Sequence, residues 1–218
     1  MITQIYEITS AEEARGLCAL GVDHIGVLVG DGSFPREQSI ALARTIVAAV
    51  RAPAKASVLS LSGDVRLIER IVEETQAQIL HIGSAPELIG PSEVTALKRR
   101  FPAVAIMRSI PVFERESIAL AKSYDGIADF LLLDSYRAAD KQIGALGVTH
   151  SWALDRAIVE SVRIPVVIAG GLGPENVGAA IEATRPAGVD SKTRTDKEDG
   201  SHTKDLAKVR AFVEAARR

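Results

Sequence analysis

Short apolar runs alternate with longer segments of helical period along the whole chain. The runs that read as strands are Ile2–Ile8, His24–Val29, Ala54–Ser60, Ile79–Ile82, Val104–Arg108, Phe130–Asp134, Val166–Ala169 and the short Gly188–Asp190. Between them, apolar residues recur at helical spacing over Ala11–Leu20, Glu37–Val50, Asp64–Thr75, Ser92–Phe101, Glu114–Ser123, Trp152–Val162, Glu175–Ala183 and Thr203–Ala216. Ser10-Ala11-Glu12-Glu13 fits a capping box at the start of the first helix. Runs such as VLSL and FLLL are apolar without alternation, which suits parallel strands covered on both faces. The helices supply the crossovers that parallel strands need.

Strict alternation of strands and helices predicts an α/β fold, a (β/α)8 TIM barrel formed as a single domain over residues 1–218. The competing architecture is a doubly wound open sheet, but no G-x-G-x-x-G turn follows the first strand. The one long polar stretch, Asp190–Asp205 (DSKTRTDKEDGSHTKD), reads either as a flexible surface loop or as a lid over a barrel mouth.

Composition narrows the class. The chain is 47% hydrophobic with only 4% aromatic residues, so the core is expected to be aliphatic. A net charge of −2 gives no electrostatic case for a nucleic-acid or membrane partner. No basic and apolar leader opens the chain and no long apolar span occurs, which points to a cytoplasmic protein. The single cysteine, Cys18, excludes an intrachain disulfide.

In a barrel, residues at the C-terminal ends of the strands face the active site. That rule selects Tyr6 and Glu7 after strand 1, Arg36 in the second loop, His81 on strand 4, Arg108 on strand 5, Asp134 on strand 6 and Asp190 after strand 8. After strand 7 the chain reads Ala169-Gly170-Gly171-Leu172-Gly173-Pro174. Paired glycines let backbone amides approach an anion, and a helix start behind them adds its positive end. A phosphorylated small molecule is therefore the expected ligand, with no cofactor. His24 lies at the opposite end of the barrel and is expected to be structural.

As an ordered set, these segments resemble phosphoribosylanthranilate isomerase, a (β/α)8 enzyme of tryptophan biosynthesis. Ser33-Phe34-Pro35-Arg36 is similar to that family's SPR segment, Ile79–Gly83 to its QLHG strand, and Leu131–Ser135 to its LLLDS strand. Gly144–Trp152 resembles its GGTGKTFDW turn, and Pro165–Val177 its phosphate-binding unit. The resemblance implies an acid–base isomerisation in which Asp134 is the general acid. It also implies that Arg36, His81, Arg108, Gly144 and Asp190 contact substrate. Gly170, Gly171, Leu172, Ser191 and Lys192 would then hold its phosphate.

Two departures stand out. The family's strand-1 KICG, whose cysteine is the base, aligns with Gln4-Ile5-Tyr6-Glu7, so the base is expected to be Tyr6 or Glu7. Cys18 lies in the first helix and cannot substitute. An unperturbed phenol has a pKa of about 10 against about 8.5 for a thiol, and neighbouring strand residues point to opposite faces. The alternative for Glu7 is an exposed charge near the first helix's N-terminus. The family's DVSSGVE becomes Asp190-Ser191-Lys192-Thr193-Arg194-Thr195-Asp196, which adds positive charge. Lys192, Arg194 and Lys197 then read as an anion clamp or as a solvated charge run.

The expected activity is that of a phosphoribosylanthranilate isomerase-like enzyme acting on a phosphorylated sugar or sugar-amine, as a monomer or homodimer. Two alternatives stay open. One is a metal-dependent epimerase, aldolase or lyase with His81, Glu7, Asp134 and Asp190 as ligands. The other is a non-catalytic barrel that binds a phosphometabolite.

Overall fold

A computed structural model describes residues 1–137, 142–143 and 151–218. The strands are β1 (Ile2–Ile5), β2 (His24–Leu28), β3 (Lys55–Ser60), β4 (Ile79–Ile82), β5 (Ala105–Val112), β6 (Phe130–Arg137), β7 (Gln142–Ile143), β8 (Val166–Ile168) and β9 (Gly188–Ser191). All but β7 pair in parallel, in the order β5-β4-β3-β2-β1-β9-β8-β6, and β5 pairs with β6 to close the ring. This is the (β/α)8 barrel. The short β7 folds back antiparallel on the end of β6, an addition the sequence pattern did not predict.

The helices are α1 (Ala11–Ala19), α2 (Ile40–Ala49), α3 (Val65–Thr75), α4 (Pro91–Arg100), α5 (Glu116–Ser123), α6 (Trp152–Ser161), α7 (Val177–Thr184) and α8 (Leu206–Ala216). Side-chain caps set several of their starts. Ser10, Ser39, Asp64 and Asp205 each accept a hydrogen bond from a free N–H of the first turn. This is why α2 and α8 begin three residues later than periodicity alone suggests. Among the described residues, no helix is long and apolar enough to cross a membrane.

Two apolar cores result. The larger lies between sheet and helices and includes Ile5, Ile25, Val58, Leu80, Ile106 and Leu133. The smaller is the barrel's own filling, Ile79, Met107, Leu132, Val167 and Ala169. Alternation along each strand assigns the remaining residues, so those in step with Ile79 and Met107 point into the lumen.

Candidate active site

Above this filling, the lumen becomes polar. Tyr6 is buried, and its hydroxyl lies 2.6 Å from Ser57 Oγ on β3 and 2.7 Å from His81 Nδ1 on β4. The other imidazole nitrogen, Nε2, is 2.7 Å from Ser109 Oγ on β5. Ser57, Tyr6, His81 and Ser109 thus form a chain of hydrogen bonds across the barrel. Burial pushes the Tyr6 phenol well above its usual range, beyond what the Ser57 hydrogen bond offsets. Burial, with the nearby Arg108 charge, drops His81 to about 3, so its ring is neutral. The hydroxyl expected to serve as a base at Tyr6 is thus a buried group engaged with Ser57 and His81 in the floor of the lumen. With both nitrogens of His81 engaged, the metal set of His81, Glu7, Asp134 and Asp190 fails. Among the described residues, no cluster of three or more His, Cys, Asp or Glu is placed to hold a metal ion.

Asp134, on β6, and Asp190, on β9, line one cleft together with Gly170, Gly171, Ser191 and Lys192. Asp134 Oδ1 accepts the Ser135 N–H at 2.7 Å. Asp190 is 7% exposed, and its Oδ1 has no hydrogen-bond partner among the described residues. Burial first, then the charge of Asp134, raises Asp190 to about 8. Asp190 thus sits as a buried, raised carboxyl in the same cleft as the carboxyl of Asp134.

The same cleft carries the glycine turn. Gly170 and Gly171 have φ of +84° and +65°, conformations that side chains rarely tolerate. Asn176, the residue before α7, pins the turn by donating from Nδ2 to the Gly171 carbonyl and accepting the Gly173 N–H. Ser191 Oγ donates to the Leu172 carbonyl at 2.7 Å and joins this turn to β9. A helix N-terminus behind two left-handed glycines makes a ready anion cradle.

Glu7 is neither an outward strand residue nor an exposed charge. β1 ends at Ile5, and Glu7 has φ +62°. That reversal turns its side chain towards the mouth, where it meets Arg36 twice, at 2.8 Å to Nε and 3.2 Å to Nη2, and Lys192 Nζ at 3.3 Å. Lys192 also meets Asp196 at 2.9 Å, and Asp196 pairs with the buried Lys204. The Asp190–Asp205 stretch is therefore anchored through Asp190, Ser191, Thr195, Asp196 and Lys204, while residues 197–202 are exposed. It holds a 3-10 turn at Thr193–Thr195 and a bridge between Asp196 and Lys204. The Lys204 N–H also donates to Glu13 at the start of α1. Arg194 pairs with Glu175 on the surface.

Arg108 is not brought to this mouth. It follows Ile106 onto the outer face of β5, where it is fully buried, donates to the carbonyls of Ile82 and Ser84, and lies 5.4 Å from the Tyr124 ring. Its part is to tie down the loop after β4, which corrects its expected role. Gly144 and the GALGVTHSW turn lie outside the described residues, apart from Ser151 and Trp152. His24 sits at the opposite end of the lumen with Gln4 and Phe130, as expected. The roles of Ser57, Ser109, Asp196 and Lys204 were missed, although the inward step of Ser57 and Ser109 was available from the strand pattern.

A family model described as N-(5'phosphoribosyl)anthranilate (PRA) isomerase matches residues 8–215. An N-(5'-phosphoribosyl)anthranilate isomerase of Methanocella arvoryzae is 38% identical over 96% of this chain and 94% of its own length. The structure of the isomerase from Pyrococcus furiosus superposes with a TM-score of 0.79 at 26% identity, covering 100% and 98% of the two chains. A further isomerase, solved with reduced 1-(o-carboxyphenylamino)-1-deoxyribulose 5-phosphate, shares the fold at 22% identity and a TM-score of 0.77, covering 100% and 99%.

Proposed function

Because the chain belongs to the N-(5'-phosphoribosyl)anthranilate isomerase family, we propose that it isomerises a phosphorylated sugar-amine, with Asp134 and Asp190 moving the protons. The observation that carries this reading is the coupled carboxyl pair in the same cleft as the left-handed Gly170-Gly171 turn. The substrate phosphate docks on the amides of that turn. The sugar then lies over the two aspartates.

The chemistry is an Amadori-type isomerisation. One carboxyl group protonates the ring oxygen as the C1–O bond breaks, which leaves an imine at C1 and a hydroxyl on the opened chain. The other, as carboxylate, takes the proton from C2 of the protonated imine, giving an enolamine; one carboxyl then returns a proton to C1 while the other accepts the 2-hydroxyl proton, which gives the ketone. The pair ends with the proton count it began with, and no electrons are exchanged with a partner, so the reaction calls for no cofactor. A buried carboxyl with a pKa near 8 is matched to such work at neutral pH. The ionised member of the two carboxyls serves as the base where the family has its strand-1 cysteine and this chain has Tyr6.

The test is turnover of N-(5'-phosphoribosyl)anthranilate and of the corresponding aniline conjugate by purified protein, beside rescue of a strain that lacks the isomerase. Turnover of either conjugate that is lost in Asp134→Asn supports the reading. Soluble, folded protein that turns over neither one ends it.

A further inference from the structure

Glu7 presents a carboxylate at the mouth of the barrel in a conformation that disfavours it. A non-glycine residue at φ +62° is disfavoured by its own backbone and persists only where its surroundings hold it. The holding contacts are two cations. The Arg36 guanidinium grips Glu7 with two nitrogens, at 2.8 and 3.2 Å, and is itself left-handed at φ +67°. Lys192 Nζ adds a third contact at 3.3 Å. A planar fork with an ammonium beside it is the arrangement that recognises a carboxylate. In this chain the carboxylate it recognises is its own.

The position of this cluster gives it a functional reading. Lys192 lines the cleft of Asp134, Asp190 and the glycine turn. Glu7 and Arg36 line a neighbouring cleft with Ile8, Thr9, Leu28, Gln38, Ser201 and His202. Glu7 joins the two clefts through its contact with Lys192, so the amine end of a sugar phosphate held in the first cleft is assigned to the second. There Ile8 and Leu28 offer apolar surface for a ring, and the cationic fork is already filled.

We infer that Glu7 sets specificity at the amine end: its carboxylate occupies the anion position made by Arg36 and Lys192, so the preferred substrate carries an uncharged amine substituent rather than an acidic one. This rests on the proposed function and names the substrate class for the same site. An incoming carboxylate would have to displace Glu7 and would leave it buried without its partners. An uncharged aryl or alkyl group meets no such obstacle.

The test compares the affinities of two ligands, reduced 1-(o-carboxyphenylamino)-1-deoxyribulose 5-phosphate and its phenylamino counterpart without the carboxyl group. Both are titrated into the full chain as wild type, Glu7→Gln and Glu7→Gly. Glycine accepts the left-handed backbone without strain, so a fold defect in one variant does not remove the test. The expected result is that the wild type gains nothing from the carboxyl group, whereas both variants favour the acidic ligand by about tenfold or more, the scale of a hydrogen bond to a charged partner. A wild type that already prefers the acidic ligand, or a preference the substitutions leave unmoved, overturns the inference. If neither ligand binds any of the proteins, the phosphate-cleft reading falls first, and this inference falls with it.

Discussion

The hydroxyl of Tyr6 lies 2.7 Å from Nδ1 of His81, inside the barrel and closed off from solvent. This contact makes residue 6 part of the site's floor rather than one of its reagents. Tyr6→Phe is therefore expected to retain activity within about threefold of wild type while unfolding more easily by roughly 1–3 kcal/mol, the cost of leaving buried Ser57 and His81 a partner short. Denaturant unfolding and steady-state kinetics on the same preparation check both halves. A loss of kcat beyond a hundredfold would restore the phenol as a catalyst.

The carboxyl pair makes the opposite forecast. Asp134→Asn and Asp190→Asn are each expected to lower kcat by about 10²–10⁴, the usual worth of a positioned acid or base. Because the two carboxyls serve one sequence of proton transfers in one cleft, the double variant should fall little below the worse single one. Losses that multiply would show that the residues work independently.

The raised Asp190 pKa gives the pH dependence. With burial and the charge of Asp134 holding Asp190 up to about 8, kcat/KM is expected to decline as pH rises through that value. A base with the usual pKa of a phenol would instead give activity that continues to climb towards pH 10. A pH–rate profile from 6 to 10 separates the two.

Stability carries the same signature with a worked sign. The Asp190 pKa is raised in the folded state from an unfolded value near 3.9, so between those values the native protein binds more protons than the unfolded chain. Stability must then fall as pH rises from about 4 to about 8 and level off above. His81, depressed to about 3, acts in reverse: its contribution is complete above about 6.5 and is lost as pH falls. The window between 6.5 and 8 isolates Asp190. There, Asp190→Asn should flatten the decline, as measured by urea unfolding at fixed pH values.

The eighth loop supplies a fifth prediction. Asp196 serves both Lys192 and the fully buried Lys204. Asp196→Asn leaves Lys204 charged and without a carboxylate, which is expected to cost about 3–5 kcal/mol. Combining it with Lys204→Met removes the stranded charge and should recover much of that loss. A double-mutant cycle by chemical denaturation reads the coupling directly.

The barrel was legible because its strands are aliphatic and its helices announce their period and caps. The glycine turn was legible because few other residues take its backbone. Side-chain direction was harder to read. Along β5, Ile106, Met107 and Arg108 are all fully buried, since a barrel strand is covered on both faces. No polar alternation therefore reveals that Arg108 points outward. At Glu7 the difficulty is in the backbone: a single left-handed residue reverses the side-chain direction that extended geometry predicts. The polar eighth loop concealed a buried ion pair because its composition is that of an exposed one.

The ring of Tyr6 occupies space that a Cβ on Gly26 would invade, at a separation of 2.2 Å. Positions 6 and 26 are consequently coupled. A tyrosine at position 6 demands that β2 keep a glycine opposite it, and any larger residue at 26 would bar the tyrosine. A thiol placed at position 6 would open a void over Gly26 and strand the hydroxyl and imidazole that the phenol now joins. Exchanging the ring for a smaller group therefore calls for coordinated changes at its neighbours.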